Sequence, residues 1–195
     1  MKAIKIVRVD PHNGTQIKQV LRIEKDGFTG DDPPEKDPRV IRFLARNGWV
    51  FLLYVGGEPA GMIELLSLEE LGAGLIASPD SPLDIVSANR NRLFGNALQP
   101  FPRRVVYHHG IAFLPEFRTG GYAKRLLRHA LEAVADKTVI CFIEAGRRSR
   151  GKKHWTINEE SLQMHLRAGF RVTALVEPPV YDAETMYFAC VRESA

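Results

Sequence analysis

Apolar positions along the chain follow two rhythms. In some stretches they alternate with polar residues or run unbroken for about seven positions, as strands do. In others they recur every three or four residues, as helices do. Residues 2–9 set Lys2, Ile4, Ile6 and Arg8 against Ala3, Lys5, Val7 and Val9 and read as a strand, closed by a turn at Asp10-Pro11 and Asn13-Gly14. Thr15 stands as the cap of a helix carrying Ile17, Val20, Leu21 and Ile23, which Gly27 ends. Residues 28–37 are rich in Asp, Pro and Gly and read as a loop. A short helix with Val40, Ile41, Phe43 and Leu44 follows, stopping near Asn47-Gly48. Two strand-like runs, 49–55 and 60–66, flank Gly56-Gly57, a hairpin signal.

Residues 67–102 keep neither rhythm beyond one helical turn at 67–71. Gly72, Gly74, Pro79, Pro82, Pro100 and Pro102 punctuate a polar stretch that reads as an insertion, of a length usual for lids and binding loops. A third strand is expected at 104–113. Helix 122–136 has the clearest stripe, with Ala123, Leu126, Leu127, Ala130, Leu131 and Val134 on one face. Strands at 138–143, 170–176 and 185–191 and a helix from Asn158 to Arg167, stopped by Gly169, complete the pattern. This order predicts a single α/β domain over 1–195, built on a mixed sheet of about seven strands with helices around it.

Composition narrows the class. The chain has 195 residues, 45% hydrophobic and 26% charged, which excludes an intrinsically disordered protein. The longest apolar run, 49–55, is far short of the ~18 residues of a membrane span. No charged segment followed by an apolar block opens the chain, so the cytoplasm is the expected compartment and no membrane partner is expected. Cys141 and Cys190 have no ligand-like spacing and read as buried small hydrophobes, with no metal site. Net charge is +4, and residues 101–195 hold 15 basic against 10 acidic groups, so an anionic partner is expected there. That balance is too mild to argue for nucleic acid.

One place carries chemistry. The strand at 104–113 leads through Leu114-Pro115-Glu116-Phe117 into Arg118-Thr119-Gly120-Gly121-Tyr122-Ala123, where the clearest helix begins at once. Strand, glycine turn and helix make a phosphate cradle: the first helical N–H groups lack partners, the helix dipole adds positive charge, and glycine lets oxygens approach. Arg118 adds a cation. Gly72-Ala73-Gly74-Leu75-Ile76-Ala77 also fits G-x-G-x-x-A, but Pro79 and Pro82 follow where a helix must run, so it is rejected as a dinucleotide site.

Arg118-x-x-Gly121-x-Ala123 fits the R/Q-x-x-G-x-G/A motif of the GNAT acyltransferase superfamily. Gly110–Arg118 resembles that family's preceding strand and turn, and Asn158-x-x-Ser161-x-x-Met164-His165-x-x-x-Gly169-Phe170 resembles its second motif, N-x-x-A-x-x-L-Y-x-x-x-G-F. The resemblance implies a GNAT-like fold in which acetyl-CoA is the cosubstrate. It would lie in a gap where the strand at 111–113 splays from that at 139–143. Its pantetheine arm would pair with the backbone of Ile111, Ala112 and Phe113, and its pyrophosphate would sit on Arg118, Thr119, Gly120, Gly121, Tyr122 and Ala123. Asn158 would bond to the pantetheine side. The implied reaction is direct acetyl transfer to a primary amine, on a small molecule or a peptide, with a homodimer one assembly open to the family.

Such a transfer needs a base for the ammonium and a proton donor for the leaving thiolate. A base titrating near neutrality points to histidine, with a rate rising between about pH 6 and 8. Alternation puts Tyr107, His109 and Ile111 on one strand face and His108 on the other. His109 resembles the family's proton-relay base, with Tyr107 in support, while His108 reads as structural or exposed. His165 falls where many relatives have a tyrosine as general acid; it either keeps that role or is a solvated helix residue. Glu144, at the end of the strand 138–143, reads as a second possible base or ammonium-binding carboxylate or, the commoner case, as a strand-end charge facing water. Glu64 in the strand 60–66 reads in the same way, and residues 147–154 as a basic loop open to solvent, to the CoA phosphate or to an anionic acceptor. The acceptor wall is expected from 28–37, with its Asp31, Asp32, Glu35 and Asp37, and from 67–102 and 178–183. The competing readings are a non-catalytic CoA-sensing module of the same fold and a basic nucleic-acid-associated protein.

Overall fold

The computed structural model describes residues 2–28, 35–67, 104–149, 152–176 and 184–194. The expected insertion beyond Ser67, Asp31, Asp32 and the turn at 178–183 all lie outside the described residues. In chain order the elements are β1 (Ile4–Arg8), α1 (Gly14–Gly27), α2 (Pro38–Asn47), β2 (Gly48–Val55), β3 (Glu58–Ser67), β4 (Val105–Phe113), a 3-10 turn (Pro115–Phe117) and α3 (Tyr122–Glu132). They continue with β5 (Thr138–Ser149), β6 (Lys152–Trp155), α4 (Glu159–Arg167), β7 (Arg171–Val176) and β8 (Thr185–Arg192). The described residues thus form an α/β fold of eight mostly antiparallel strands and four α-helices, as expected for the class.

Contacts group the chain into two units, Met1–Leu66 with His108–Ala135, and Ser67–Tyr107 with Asp136–Ala195. In the first, the strand order is β1-β2-β3-β4. β1 pairs antiparallel with β2 from Ile4↔Val55 to Arg8↔Phe51, and β2 with β3 through Val50↔Glu64 and Phe51↔Ile63. Val50, Phe51, Leu52 and Leu53 are all buried, and because successive side chains point to opposite faces, both faces of β2 are covered. α2 and α3 pack on β2 and α1 packs on α2. Ile17, Val20 and Ile23 of α1, Ile41 of α2, and Leu126, Leu127 and Ala130 of α3 are buried at the spacing the sequence predicts. The α1 cap is Asn13 rather than Thr15: its side chain accepts from the N–H groups of Thr15 and Gln16. Asp37 caps α2 by accepting from Arg39 N–H. Helix α3 ends at Glu132, short of the expected 136.

In the second unit β5 pairs antiparallel with β8, and β8 with β7. Cys141 and Cys190 face each other in register as buried free thiols. β5 runs past its expected end at 143 and pairs with β6 from Gly146↔Trp155 to Ser149↔Lys152. The basic stretch 147–154 is therefore largely a hairpin. Backbone pairing is indifferent to side chains that carry charge, so the charge run concealed two strand ends. Among the described residues, no helix is long and apolar enough to cross a membrane.

Candidate active site

The glycine turn lies in the first unit. The Leu114 N–H donates to Ala60 O at 3.0 Å, anchoring the end of β4 to β3, and the 3-10 turn buries Phe117. Gly120 and Gly121 then take φ values of 91° and 74°, a region that favours glycine. Gly121 is the N-cap of α3 with no capping side chain, and Arg125 N–H closes the first helical bond onto its carbonyl. The N–H groups of the first turn therefore face outward without intrahelical acceptors. A Cβ built on Gly121 meets nothing within 4 Å, so the cradle is open. Arg118 donates to Gly27 O at 3.1 Å and Phe113 O at 3.4 Å, which ties the turn to the end of α1 and holds the guanidinium there. Backbone donors, a helix N-terminus and one fixed cation fit a pyrophosphate.

His109 of β4 belongs to the same unit. Its Nε2 lies 3.9 Å from Glu64 Oε2, whose side chain is 1% exposed. The imidazole keeps 31% of its surface, yet burial lowers its pKa from 6.5 toward about 4. Solvent at the exposed third tempers the size of this shift but not its direction, so the ring is a neutral proton acceptor at pH 7. Burial holds the Glu64 carboxyl well above its ordinary value, and Glu24 and Glu35 add to the effect. Glu24, at the end of α1, is 8% exposed and is raised to about 7, chiefly by burial. Phe28 follows α1 with its ring over the strand beside His109, where a Cβ on Gly110 would come within 2.9 Å of it.

The remaining expected residues separate. Ile111 is partly buried and Ala112 and Phe113 are buried; the Phe113 ring fills the space a side chain at Gly61 would need. Thr119 is exposed, and Tyr122 meets Phe117 edge to face at 6.3 Å. His108 is buried rather than exposed. In the second unit Tyr107 is buried against Phe142, with rings 5.9 Å apart. Asn158 caps α4, its Oδ1 accepting from Ser161 N–H at 3.1 Å. His165 is 2% exposed, which overturns the solvated alternative. Its Nδ1 meets Ser161 O at 2.7 Å, so that nitrogen carries the proton of the neutral ring. Donation from Nε2 then requires the imidazolium, which burial disfavours. Glu144 is 39% exposed beside Arg147 and Thr156, and because β5 continues to Ser149 it lies within the strand rather than at its end.

Glu64 does not face water as expected, because β3 is covered on both sides. The signal lay in its neighbours: one acidic residue within Met62-Ile63-Glu64-Leu65-Leu66. Glu24 carried a similar signal, continuing the stripe of Ile17 and Val20 on α1.

The first unit thus sets an open glycine turn at the head of one helix, and a strand that carries a neutral imidazole next to a buried carboxyl. A family model described as the acetyltransferase (GNAT) family matches residues 17–170, and the chain belongs to that family. A search of curated proteins found no match. Among solved structures, the ribosomal-protein-S18-alanine N-acetyltransferase of Escherichia coli superposes with a TM-score of 0.63 at 12% identity, over 99% of this chain and 96% of that one. Ard1 of Thermoplasma volcanium gives 0.63 at 17% identity, over 99% of both. A Bacillus subtilis acetyltransferase in complex with CoA gives 0.56 at 12%, over 99% of this chain and 100% of that one. At such identities the likeness is one of fold.

Proposed function

We propose that the chain is an N-acetyltransferase that moves an acetyl group from acetyl-CoA directly to a primary amine. Family membership supports acetyl transfer as the chemistry. The observation that carries the finer reading is the neutral imidazole of His109 beside Glu64, in the unit that holds the glycine turn. Arg118 and the backbone from Thr119 to Ala123 would hold the pyrophosphate, and the backbone of Ile111, Ala112 and Phe113 would carry the pantetheine arm as an added strand. When bound, acetyl-CoA supplies an activated thioester. His109 takes the proton that an ammonium must lose before its nitrogen can attack.

Burial of His109 changes the expected pH dependence. A base with its pKa near 4 is already deprotonated at pH 6, so the rise between pH 6 and 8 predicted from an ordinary imidazole should not come from this residue. Tyr107 and His165 remain proposed as supporting and acid groups, although the neutral, buried state of His165 weighs against proton donation. Following free thiol release from acetyl-CoA with a panel of amines tests the reading. Amine-dependent release supports it, whereas CoA binding with no release for any amine supports a sensing module instead.

A further inference from the structure

Three carboxyl groups gather in the first unit from separate elements: Glu24 from α1, Glu35 from the segment before α2, and Glu64 from β3. Glu64 is enclosed, with 1% of its side chain exposed, and its Oε1 has no hydrogen-bond partner. Its Oε2 lies 3.9 Å from His109, beyond hydrogen-bond length. Glu24 accepts the backbone N–H of Glu35. The Glu35 carboxylate folds onto its own backbone, accepting from Lys36 and Asp37 N–H at 2.7 and 2.6 Å. The groups facing Glu64 are therefore Glu24, Glu35 and His109, while β2 sets Val50 opposite it. Among the described residues, no lysine or arginine forms an ion pair with any of the three.

A buried carboxyl oxygen without a partner is costly, and ionising that carboxyl among others without a cation more so, so Glu64 stays protonated until a cation arrives. A donor that brings positive charge would satisfy the oxygen and favour the carboxylate together. We propose that Glu64 is the docking point of the acceptor's ammonium, with Glu24 and Glu35 lining its approach, and that docking expels a proton before acetyl transfer. This rests on the amine-acceptor reading above and names the group that selects for it. An alkylammonium offers three N–H donors and a full charge, whereas an alcohol offers one donor and none.

The proton inventory closes. Unliganded Glu64 is a carboxylic acid, raised chiefly by burial. As the ammonium arrives, its charge favours the carboxylate, and the acid proton leaves by way of the partly exposed His109 ring. The ammonium then gives one N–H proton to Glu64 or His109, leaving a neutral amine with its lone pair. One proton reaches solvent for each amine, as forming a neutral amide from an ammonium requires.

Calorimetric titration of n-butylammonium chloride into the full chain at about pH 7, in two buffers of different ionisation heat, counts that proton. The wild type should release up to one proton per amine bound, and 1-butanol should release none. Glu64→Gln, which keeps shape and removes the acid, should abolish release and weaken the amine about tenfold or more, the loss of one charge-assisted contact. Glu24→Gln should reduce release in part. The CoA-induced rise in melting temperature should survive Glu64→Gln, which also reports that this variant is folded. Unchanged release in Glu64→Gln, or a wild type that binds no butylammonium or binds it without release, overturns the proposal. If CoA fails to stabilise the wild type, the acetyltransferase reading fails instead, whatever the proton count.

Discussion

His109 and Glu64 show how burial sets the ionisation of two neighbouring groups. Enclosed together, neither readily holds a charge, so the imidazole stays neutral and the carboxyl stays protonated. His109→Gln should therefore leave CoA affinity intact and lower turnover by roughly 10²–10⁴, the usual contribution of a general base. Its neighbour His108→Gln, on the other strand face, serves as control. In the wild type the part of the rate that depends on this ring should persist down to about pH 5 and fall as the pH approaches 4. A wild-type rate in His109→Gln removes the residue from the mechanism. Glu24 makes a stability prediction of definite sign. Its folded pKa, about 7, lies above its unfolded value, so the folded state holds the proton more tightly. That contribution is fully present below about pH 4.5 and is lost as the pH rises through 7. Glu24→Gln should consequently match or trail the wild type in melting temperature at pH 4.5 and exceed it by several degrees at pH 8. Buried His109 and His165 act oppositely, lowering stability as the pH falls below 6.5, so the comparison must be of variant with wild type at each pH.

The start of α3 separates geometry from charge at one glycine. Gly121→Asp puts a carboxylate where phosphate oxygens are expected and should abolish the rise in melting temperature that CoA produces. Gly121→Ala adds a methyl group into open space, but at a φ of 74°. It should bind CoA while losing roughly 1 kcal/mol of stability through backbone strain. CoA stabilisation of Gly121→Asp equal to that of the wild type would place the phosphate site elsewhere. At the head of α4, Asn158→Ala removes the bond to Ser161 N–H and should cost about 1 kcal/mol in denaturant unfolding.

For the molecule as a whole, a ligand bound only by the folded state raises stability by mass action, about 2.7 kcal/mol at a hundredfold excess over its dissociation constant. Acetyl-CoA should thus raise the melting temperature in a concentration-dependent way, and the rise should shrink with added salt, because the proposed contacts are to phosphate. Butylammonium given alone should stabilise more at pH 8 than at pH 5, since its docking displaces a proton. The opposite order would count against the carboxyl cluster as the amine site.

Much of this was written in local pattern. The apolar stripes of α1 and α3 mark the faces that are buried, the Gly56-Gly57 hairpin joins β2 to β3, and the glycine turn follows β4 where the motif puts it. These depend on neighbours within a few positions, and periodicity carries that information. What pattern did not carry was which polar residues would be enclosed. Glu64 stands alone in an apolar run, which hints at a covered strand but not at what covers it, and His165 sits on a helix whose sequence permits either face. Each lost its water because elements distant in the chain closed over it. The basic run at 147–154 became a hairpin for a related reason: Arg147 found His154 across the strands, a partner set by pairing register. Enclosure moves the ionisation of Glu64, Glu24 and His109 away from ordinary values, because the cost of a buried charge depends on everything packed around it.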